Sequence, residues 1–173
     1  VSGNDVKKRV RRGQYNGYQK EPHVDLKSQT ETYFRVEAYV DTDRWQDVPF
    51  ILESGKRLDE SKVEITIYFR KTPCLCPPEI EQHHQNILTF RIAPDEGISI
   101  KFWAKKPGFD MSLEPKELSF EYGTSGERIP DAYERVLFDC IKWDQTLFAR
   151  TEELEASWKF ITPILEGWKD TKL

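Results

Sequence analysis

Strict alternation of apolar and polar residues is the strongest constraint on the fold of this chain. Five segments carry it, and their apolar positions are Phe34, Val36, Ala38 and Val40; Val63, Ile65, Ile67 and Phe69; Leu88, Phe90 and Ile92; Ile98, Ile100 and Phe102; and Leu118, Phe120 and Tyr122. Successive side chains of a strand point to opposite faces, so each segment predicts a strand with one apolar face. Turn-rich stretches separate the segments, which predicts a large, mainly antiparallel sheet with one face on a core.

The other face of the predicted sheet is less polar than a fully solvated face. It carries Tyr33, Tyr39, Tyr68 and Trp103. Aromatic residues mixed with a few charges are typical of protein–protein interfaces, and the pairing of two subunits is the simplest case. The high strand propensity of aromatic residues explains the same composition without a partner. A homodimer through these four residues is therefore a hypothesis, with propensity alone as its alternative.

The periodicity becomes helical after Pro130. Apolar side chains recur at helical spacing at Tyr133, Val136, Leu137, Cys140 and Ile141. This spacing predicts an amphipathic helix, with Cys140 as a small core residue on its apolar face.

A second helix is predicted to start at Thr151. A hydroxyl caps free backbone N–H groups, and the two glutamates that follow suit the positive end of a helix dipole. Leu154, Trp158 and Ile161 predict its buried stripe, while Pro163 should end the helix, kink it or begin a new one. Strands followed by helices indicate an α+β class, with the helices packed on one face of the sheet.

Residues 1–26 show basic residues and turn formers but no sustained periodicity. We expect an irregular lead-in over 1–26 and a single α+β domain over 27–173. The basic run at positions 7–12 is interpreted as a solvated arm, with phosphate or lipid binding as the alternative.

Composition argues against several functional classes. The 26 Lys and Arg residues are outnumbered by 30 Asp and Glu residues, whereas nucleic-acid-binding proteins usually carry a basic excess. No apolar run approaches the length that spans a bilayer, and the first residues show no signal-peptide core. Three cysteines, an odd count, fit a reducing compartment better than a disulfide scaffold. We expect a cytoplasmic protein with no nucleic-acid or membrane partner.

Metal and nucleophile chemistry is weakly indicated. Cys74, Cys76, His83 and His84 could supply four zinc ligands, but structural zinc sites favour two residues between paired cysteines. No nucleophile–base pair is recognisable, and no Gly-rich strand–turn–helix segment of the dinucleotide-binding kind occurs. We therefore expect no metal site and no catalytic residue in this chain.

One loop carries the chemistry for binding an anion. Residues 54–57, Ser-Gly-Lys-Arg, lie between a strand that ends near Leu52 and the strand that starts at Val63. Glycine permits a close approach of the backbone to a ligand, and Lys56 with Arg57 supplies charge for a phosphate. A turn with two solvated cations is the alternative.

Several segments resemble the glucose-6-phosphate dehydrogenase family. Residues 44–58, RWQDVPFILESGKRL, resemble the family motif RW-x-GVPF…GK-x-L. Further resemblances follow in order at residues 12–15 (RGQY), 28–32 (SQTET), 94–98 (PDEGI), 105–108 (KKPG), 131–135 (DAYER) and 144–148 (DQTLF). Order and spacing hold from about residue 12 to residue 168.

The resemblance implies the later part of the C-terminal α+β domain of such an enzyme, without its coenzyme-binding domain. Family members oxidise glucose 6-phosphate to 6-phosphogluconolactone with NADP in the pentose phosphate pathway. The resemblance further implies that NADP is bound mainly by the absent N-terminal domain, that this chain alone is inactive, and that subunits pair through the sheet. The competing hypothesis is a non-catalytic dimerisation or sugar-phosphate-sensing module derived from the family.

Two lysines are the candidate substrate-binding residues. Lys56 matches the family lysine that contacts the sugar phosphate, and Lys62 lies beside Ser61, which stands where the family usually has a second cation. Glu53 stands where an Arg is usual, and Ala93 where a Gln is common. A carboxylate near a phosphate introduces repulsion. In animal members the Arg matched by Glu53 belongs to a second, structural coenzyme site, which the resemblance therefore does not imply here.

Overall fold

The computed structural model describes residues 8–71, 84–123, 130–169 and 173. Its strands are β1 (Val10–Gly13), β2 (Tyr33–Ala38), β3 (Phe50–Gly55), β4 (Val63–Tyr68), β5 (Ile87–Ala93), β6 (Gly97–Lys105) and β7 (Leu113–Glu121), and its longer helices are α1 (Ala132–Lys142) and α2 (Thr151–Lys169). The chain groups into two compact units, Val1–Asp59 with Asp139–Leu173, and Glu60–Phe138. The α+β class is confirmed. A single domain over 27–173 remains a prediction, because compact units of this kind can belong to one domain.

The first unit contains a three-stranded antiparallel sheet in the order β1-β2-β3. Val36 at its centre is opposite Val10 on one side and Leu52 on the other, so these side chains share one face. Strand β1 lies within the segment 1–26 that was expected to be irregular. Its four residues, VRRG, are too few and too basic to show an alternation, and pairing with β2 is what makes them a strand.

Helix α2 packs against this sheet through Ile164, which is 1% exposed, as Val36 is 3% exposed. Both residues line a cavity of about 270 Å³ together with Phe160 from the same helix. The face of α2 that lines this cavity therefore carries buried Ile164 and half-buried Phe160.

Two residues of the predicted stripe were wrong, since Leu154 is exposed and Trp158 is 63% exposed, whereas Ile161 is half-buried. The helix carries two apolar stripes at helical spacing, and spacing alone does not show which one contacts the sheet. Pro163 does not end α2, which continues to Lys169. Because proline has no backbone N–H, it removes one hydrogen bond within the helix, but the burial of Ile164, the next residue, favours the continued helix.

The second unit contains a four-stranded antiparallel sheet in the order β4-β5-β6-β7. The five segments predicted from alternation all contain strands, and in the part of the chain that the structure describes they fall into two sheets. One large sheet was expected from the alternation. Alternation reports which residues form strands, while pairing depends on contacts that the period does not encode.

The two faces of the four-stranded sheet differ sharply in polarity. Residues opposite each other in register lie on the same face. One face carries the aliphatic and aromatic residues Ile65, Phe90, Ile98 and Phe120 in one row and Ile67, Leu88, Ile100 and Leu118 in the next. The other face carries a row of four hydroxyl side chains, Thr66, Thr89, Ser99 and Ser119, which we call the hydroxyl row.

The apolar face of this sheet was predicted to lie on a core. Its two central strands are half-buried, but Ile65 is 54% and Leu118 is 63% exposed on the outer strands. The predicted apolar face of α1 is also exposed: its predicted core residue Cys140 is exposed, and Tyr133 is 81% exposed. These residues have the predicted pattern, and the described residues leave them largely uncovered.

Candidate functional site

The candidate site is the segment 54–58, which we call the Lys56 loop. Strand β3 ends at Gly55, which is opposite Tyr33 in the first sheet. The ladder continues for one more bond, because the Lys56 N–H donates to the carbonyl oxygen of Thr32 at 2.8 Å. The backbone of Lys56 is thus fixed at the end of a sheet, which is a rigid place from which to present a side chain.

Gly55 is tightly surrounded by side chains. A Cβ atom at this position would lie 3.0 Å from Cδ2 of Tyr33 and 3.2 Å from the Leu58 side chain. The Tyr33 ring, from the neighbouring strand, and the Leu58 side chain, from the end of the loop, are the nearest neighbours of this position. The glycine was expected to allow close approach of a ligand, and in the structure its nearest neighbours are Tyr33 and Leu58.

Arg57 bends the chain immediately after Lys56. Its φ of 55° is in the left-handed region, which non-glycine residues rarely adopt. The Arg57 guanidinium forms an ion pair with Glu21 in which Nη2 and Oε1 are 2.5 Å apart. It also lies 4.6 Å above the centre of the Tyr15 ring, within cation–π distance.

Tyr15 and Glu21 are themselves held in place. The Tyr15 hydroxyl donates to Glu21 Oε1 at 3.4 Å, and the Tyr15 N–H donates to Oγ1 of Thr32 at 2.9 Å. Desolvation raises the pKa of the Tyr15 hydroxyl, and the Glu21 carboxylate raises it further. Thr32 therefore contacts Tyr15 through its side chain and Lys56 through its carbonyl.

Lys56 is the cation of this loop that is available for a ligand. Its side chain is exposed, and within the described residues no carboxylate lies within ion-pair distance of it. Arg57, the next residue, is already paired with Glu21. The two cations that the sequence placed together therefore differ in what they contact.

Lys62, the second candidate, belongs to the second unit and is already paired. Its ammonium Nζ lies 3.1 Å from a carboxylate oxygen of Glu60 and 3.1 Å from one of Glu64. The hydrogen bonds to Glu60 and Glu64 raise the pKa of Lys62. A phosphate at this position would meet two carboxylates around one ammonium.

The zinc candidates are only partly described. Cys74, Cys76 and His83 lie outside the described residues. His84 packs edge-on against the Trp103 ring, with ring centres 4.1 Å apart. Within the described ranges, no cluster of three or more His, Cys, Asp or Glu side chains has the geometry for a metal ion.

Three cavities in the described part of the chain are lined by residues other than those of the Lys56 loop. One is the 270 Å³ cavity beside Ile164. A second, of about 540 Å³, is an open groove along α2 beside Trp158. The third, of about 210 Å³, lies on the hydroxyl-row face near Arg91 and Glu117.

The whole chain, residues 1–173, matches the family model described as glucose-6-phosphate dehydrogenase, C-terminal domain. The chain belongs to this family. It is 41% identical over 160 residues to glucose-6-phosphate 1-dehydrogenase of Treponema pallidum, which covers 90% of this chain and 31% of the relative. It is 39% identical over 166 residues to the enzyme of the same name from Chlamydia trachomatis, and this match covers 90% of this chain and 37% of the relative. The chain thus spans about a third of the length of these curated relatives.

Solved structures of glucose-6-phosphate dehydrogenases share the fold. One, described as the enzyme in complex with its substrate glucose-6-phosphate, has a TM-score of 0.82 at 32% identity, and the match covers 96% of this chain and 35% of that chain. Another, glucose-6-phosphate 1-dehydrogenase from Mycobacterium avium, has a TM-score of 0.79 at 29% identity. This match covers 95% of this chain and 35% of that chain.

For a glucose-6-phosphate dehydrogenase domain, the unusual Glu53 has a clear local environment. It accepts a hydrogen bond from the Tyr33 hydroxyl at 3.0 Å, and Nε of Arg35 lies 3.7 Å from its other oxygen. Desolvation and the hydrogen bond to Glu53 raise the pKa of Tyr33. Ser61 is exposed, and Ala93 is opposite Val63 at the end of the β4–β5 pair. Glu53 therefore serves an internal network with Arg35 and Tyr33.

The four aromatic residues assigned to subunit pairing are distributed over both units of this dehydrogenase domain. Tyr33 is half-buried, and Tyr39, just beyond β2, is exposed and donates to Glu37 at 2.9 Å. Tyr68 is exposed and Trp103 half-buried, and both lie on the hydroxyl-row face of the second sheet.

The residues that sequence reasoning missed are Tyr15 and Glu21. Tyr15 appeared only as part of a family resemblance, and Glu21 lies 36 positions from Arg57 in the sequence. No periodicity or motif connects such distant positions. The only signal was the presence of Arg57 beside Lys56, which indicated charge but not its internal partner.

Proposed function

We propose that the protein containing this chain oxidises glucose 6-phosphate to 6-phosphogluconolactone with NADP, and that Lys56 binds the phosphate of the substrate. Membership of the glucose-6-phosphate dehydrogenase family supports the reaction. The observation that carries the assignment of Lys56 is its exposed ammonium at the end of β3, which has no carboxylate within ion-pair distance among the described residues, beside an arginine that is paired with Glu21.

The role of Lys56 is to bind and orient. An ammonium offers three N–H donors to phosphate oxygens, and such charge-assisted hydrogen bonds are stronger than neutral ones. Holding the phosphate fixes the sugar at the distance and angle that hydride transfer needs. Lys56 itself exchanges no proton or hydride with the substrate.

Lys62 is proposed as a secondary contact. Its ammonium already binds Glu60 and Glu64, so a phosphate has to compete with two carboxylates. Its removal should therefore change substrate binding much less than removal of Lys56.

The polar cavity of about 210 Å³ is a poor match for NADP. The polar cavity on the hydroxyl-row face contains one arginine, Arg91, together with Asp95, Glu117 and Glu121, and this excess of carboxylates repels coenzyme phosphates. Glu53 adds another carboxylate in the first unit. The residues that bind NADP are proposed to lie outside this chain, which is therefore expected to be inactive alone.

The test of the function uses the full-length protein. Glucose 6-phosphate and NADP should give NADPH, followed by its absorbance. Lys56→Ala should raise the KM for glucose 6-phosphate about 10- to 100-fold, because a hydrogen bond between charged groups is lost. The KM for NADP should not change, and the exposed Lys27→Ala variant is the matched control.

Two outcomes would contradict the proposal. A full-length protein that forms no NADPH would exclude the enzymatic function and favour a dimerisation or sugar-phosphate-sensing module. An active protein whose substrate KM is unaffected by Lys56→Ala would keep the reaction but remove Lys56 from the site.

We also propose a homodimer that forms through Tyr33, Tyr39, Tyr68 and Trp103. Support comes from the hydroxyl-row face, where small hydroxyl side chains make a flat surface that a second sheet can approach. Charges of both signs flank the hydroxyl row: Arg91 and Lys101 on one hand, and Glu64, Glu117 and Glu121 on the other. A two-fold axis can set such opposite charges against each other.

Adjacent residues on β4 provide a controlled test of the dimer. Tyr68 is on the hydroxyl-row face and Ile67 on the opposite, apolar face. Tyr68→Glu should convert a dimer into a monomer in light scattering, whereas Ile67→Glu should leave the dimer intact. A monomeric wild-type protein, or a dimer lost only in Ile67→Glu, would contradict this interface.

A cytoplasmic location is part of the proposal. Helices in the described part of the chain are too short or too polar to cross a membrane. A relative that is 38% identical over 158 residues, from Solanum tuberosum, is named as a cytoplasmic isoform. Fractionation of cells that express the full-length protein tests the location.

A further inference from the structure

The backbone at Arg57 is held in an unfavourable conformation. With a φ of 55°, Arg57 occupies the left-handed region, where a side chain with a Cβ atom is strained. Such conformations persist when surrounding contacts over-determine them, and they occur often at binding sites. The contacts that hold Arg57 in this conformation therefore also bear on its neighbour Lys56.

The side chain of Arg57 supplies the holding contacts. Its guanidinium is ion-paired with Glu21 and lies over the Tyr15 ring. Tyr15 is anchored in turn, through its N–H, to the Thr32 side chain. The Thr32 carbonyl accepts the N–H of Lys56, so these contacts form a closed circuit around the residue that precedes Arg57.

A direct role of Arg57 on the phosphate fits the geometry less well. Nη2 is engaged by Glu21, and the Tyr15 ring lies over one face of the guanidinium. The Arg57 side chain is 62% exposed, but a phosphate bound by its remaining N–H groups would lie beside the Glu21 carboxylate, which repels it.

We propose that Arg57 is a positioning residue: clamped by Glu21 and Tyr15, it fixes the backbone of the Lys56 loop so that Lys56 is pre-oriented for the substrate phosphate. This inference rests on the proposed function of Lys56. Pre-orientation lowers the conformational entropy that the lysine loses on binding, so its effect appears in affinity for the phosphorylated substrate.

The expected kinetic effect is selective. In the full-length protein, Arg57→Ala should raise the KM for glucose 6-phosphate about 3- to 10-fold, in line with the ordering of one long side chain. The KM for NADP and kcat should change little. Glu21→Gln should produce a similar effect, and the two changes combined should cost no more than either one.

Two further variants separate anchoring from backbone shape. Arg57→Gly removes the strain but also the anchor, so the substrate KM should still rise. Arg57→Lys keeps a cation for Glu21 and should restore part of the affinity. Arg11→Ala, which removes an exposed arginine from β1, is the matched control and should leave the substrate KM unchanged.

The decisive experiment is a double-mutant cycle with Lys56→Ala. If Arg57 acts through Lys56, then Arg57→Ala should have no further effect on the substrate KM once Lys56 is gone. A full additional loss in the Lys56→Ala background would overturn the proposal, because Arg57 would then contact the substrate itself. A loss of kcat with unchanged KM would also overturn it.

Amide hydrogen exchange tests the clamp without any activity. The Lys56 N–H should exchange about tenfold faster in the full-length Arg57→Ala variant than in wild type, and at the wild-type rate in Arg11→Ala. Unchanged exchange would overturn the clamp even in an active enzyme. Faster exchange in a protein without dehydrogenase activity would keep the clamp and reject the proposed function.

Discussion

Arg12 Nη2 donates a hydrogen bond to the carbonyl oxygen of Trp168 at 2.8 Å, which joins β1 to the last turn of α2. The same guanidinium lies 5.4 Å from the Trp168 ring centre and 3.8 Å from a Glu31 oxygen. Carbonyls in the last turn of a helix have no partner within it, and a cation there also suits the negative end of the dipole. Arg12 is thus the cap of α2, supplied by a strand.

Arg12→Lys should lower the free energy of unfolding by about 1–2 kcal/mol, because an ammonium cannot reproduce the planar, multiple contacts of the guanidinium. Urea unfolding, followed by Trp fluorescence, measures the loss. Arg11→Lys is the matched control, since the neighbouring side chain is exposed and on the opposite face of β1. Equal losses in both variants would show that the Trp168 contact is not what matters.

Gly97→Ala should destabilise the four-stranded sheet. A Cβ at this buried position would lie 2.7 Å from the carbonyl oxygen of Phe120, and a backbone atom cannot rotate away. Overpacking of this kind typically costs about 1–3 kcal/mol. At Gly13 the nearest atom to an added Cβ is 3.9 Å away, so Gly13→Ala should cost little or stabilise. Thermal unfolding of the two variants gives the comparison, and equal melting temperatures would contradict it.

The Glu114–Lys116 pair should make a small, pH-dependent contribution to stability. Lys116 Nζ lies 2.7 Å from a Glu114 oxygen, and this hydrogen bond lowers the pKa of Glu114. A lowered folded-state pKa contributes stability above the unfolded-state value, about 4.3 for Glu, and loses it as the pH falls through the folded-state value. Lys116→Met should therefore raise the Glu114 pKa in an NMR titration. It should also destabilise the protein at neutral pH but not in acid. A Glu114 pKa that does not move in Lys116→Met would contradict this.

If Lys62 contacts the substrate phosphate, then its two carboxylate partners oppose binding. Glu60→Gln keeps the shape but removes one charge beside the ammonium, so the KM for glucose 6-phosphate should fall modestly, about 2- to 5-fold. Asp59→Asn removes a neighbouring charge for which the structure shows no Lys62 contact and serves as the control. An unchanged KM in Glu60→Gln would remove Lys62 from the proposed site.

Much of the fold could be predicted because alternation is a direct consequence of strand geometry. Val63 to Phe69 illustrates this, since the period alone identified β4. Strand β1 could not be found in this way, because two of its four residues are arginines and its strand character comes from pairing with β2. The buried stripe of α2 was mispredicted for a related reason: Trp158 and Ile164 both fit a helical period, and only the fold, which places Ile164 at the same cavity as Val36, selects the second.

Only those features of the site that depend on neighbouring residues in the sequence could be predicted. Lys56 was identified from a motif of contiguous residues, and its exposure fits that assignment. The clamp on Arg57 depends on Glu21, which the fold brings close from a distant part of the chain. Likewise, the pairing of Lys62 with Glu60 and Glu64 is visible in the sequence as proximity, but its geometry is set by β4.

Pro163 divides α2 into two parts with unequal attachment. The turns before it expose Leu154 and Trp158 and have only half-buried Phe160 at the cavity, while the part after it includes buried Ile164 and the Trp168 carbonyl bound by Arg12. Proline lacks the N–H that would donate a backbone hydrogen bond to the preceding turn, so one bond between the two parts is missing. Local unfolding can therefore begin in the first part without disturbing the second. The helix should therefore melt from one end only, and its amide protons should fall into two classes of protection that meet at the proline.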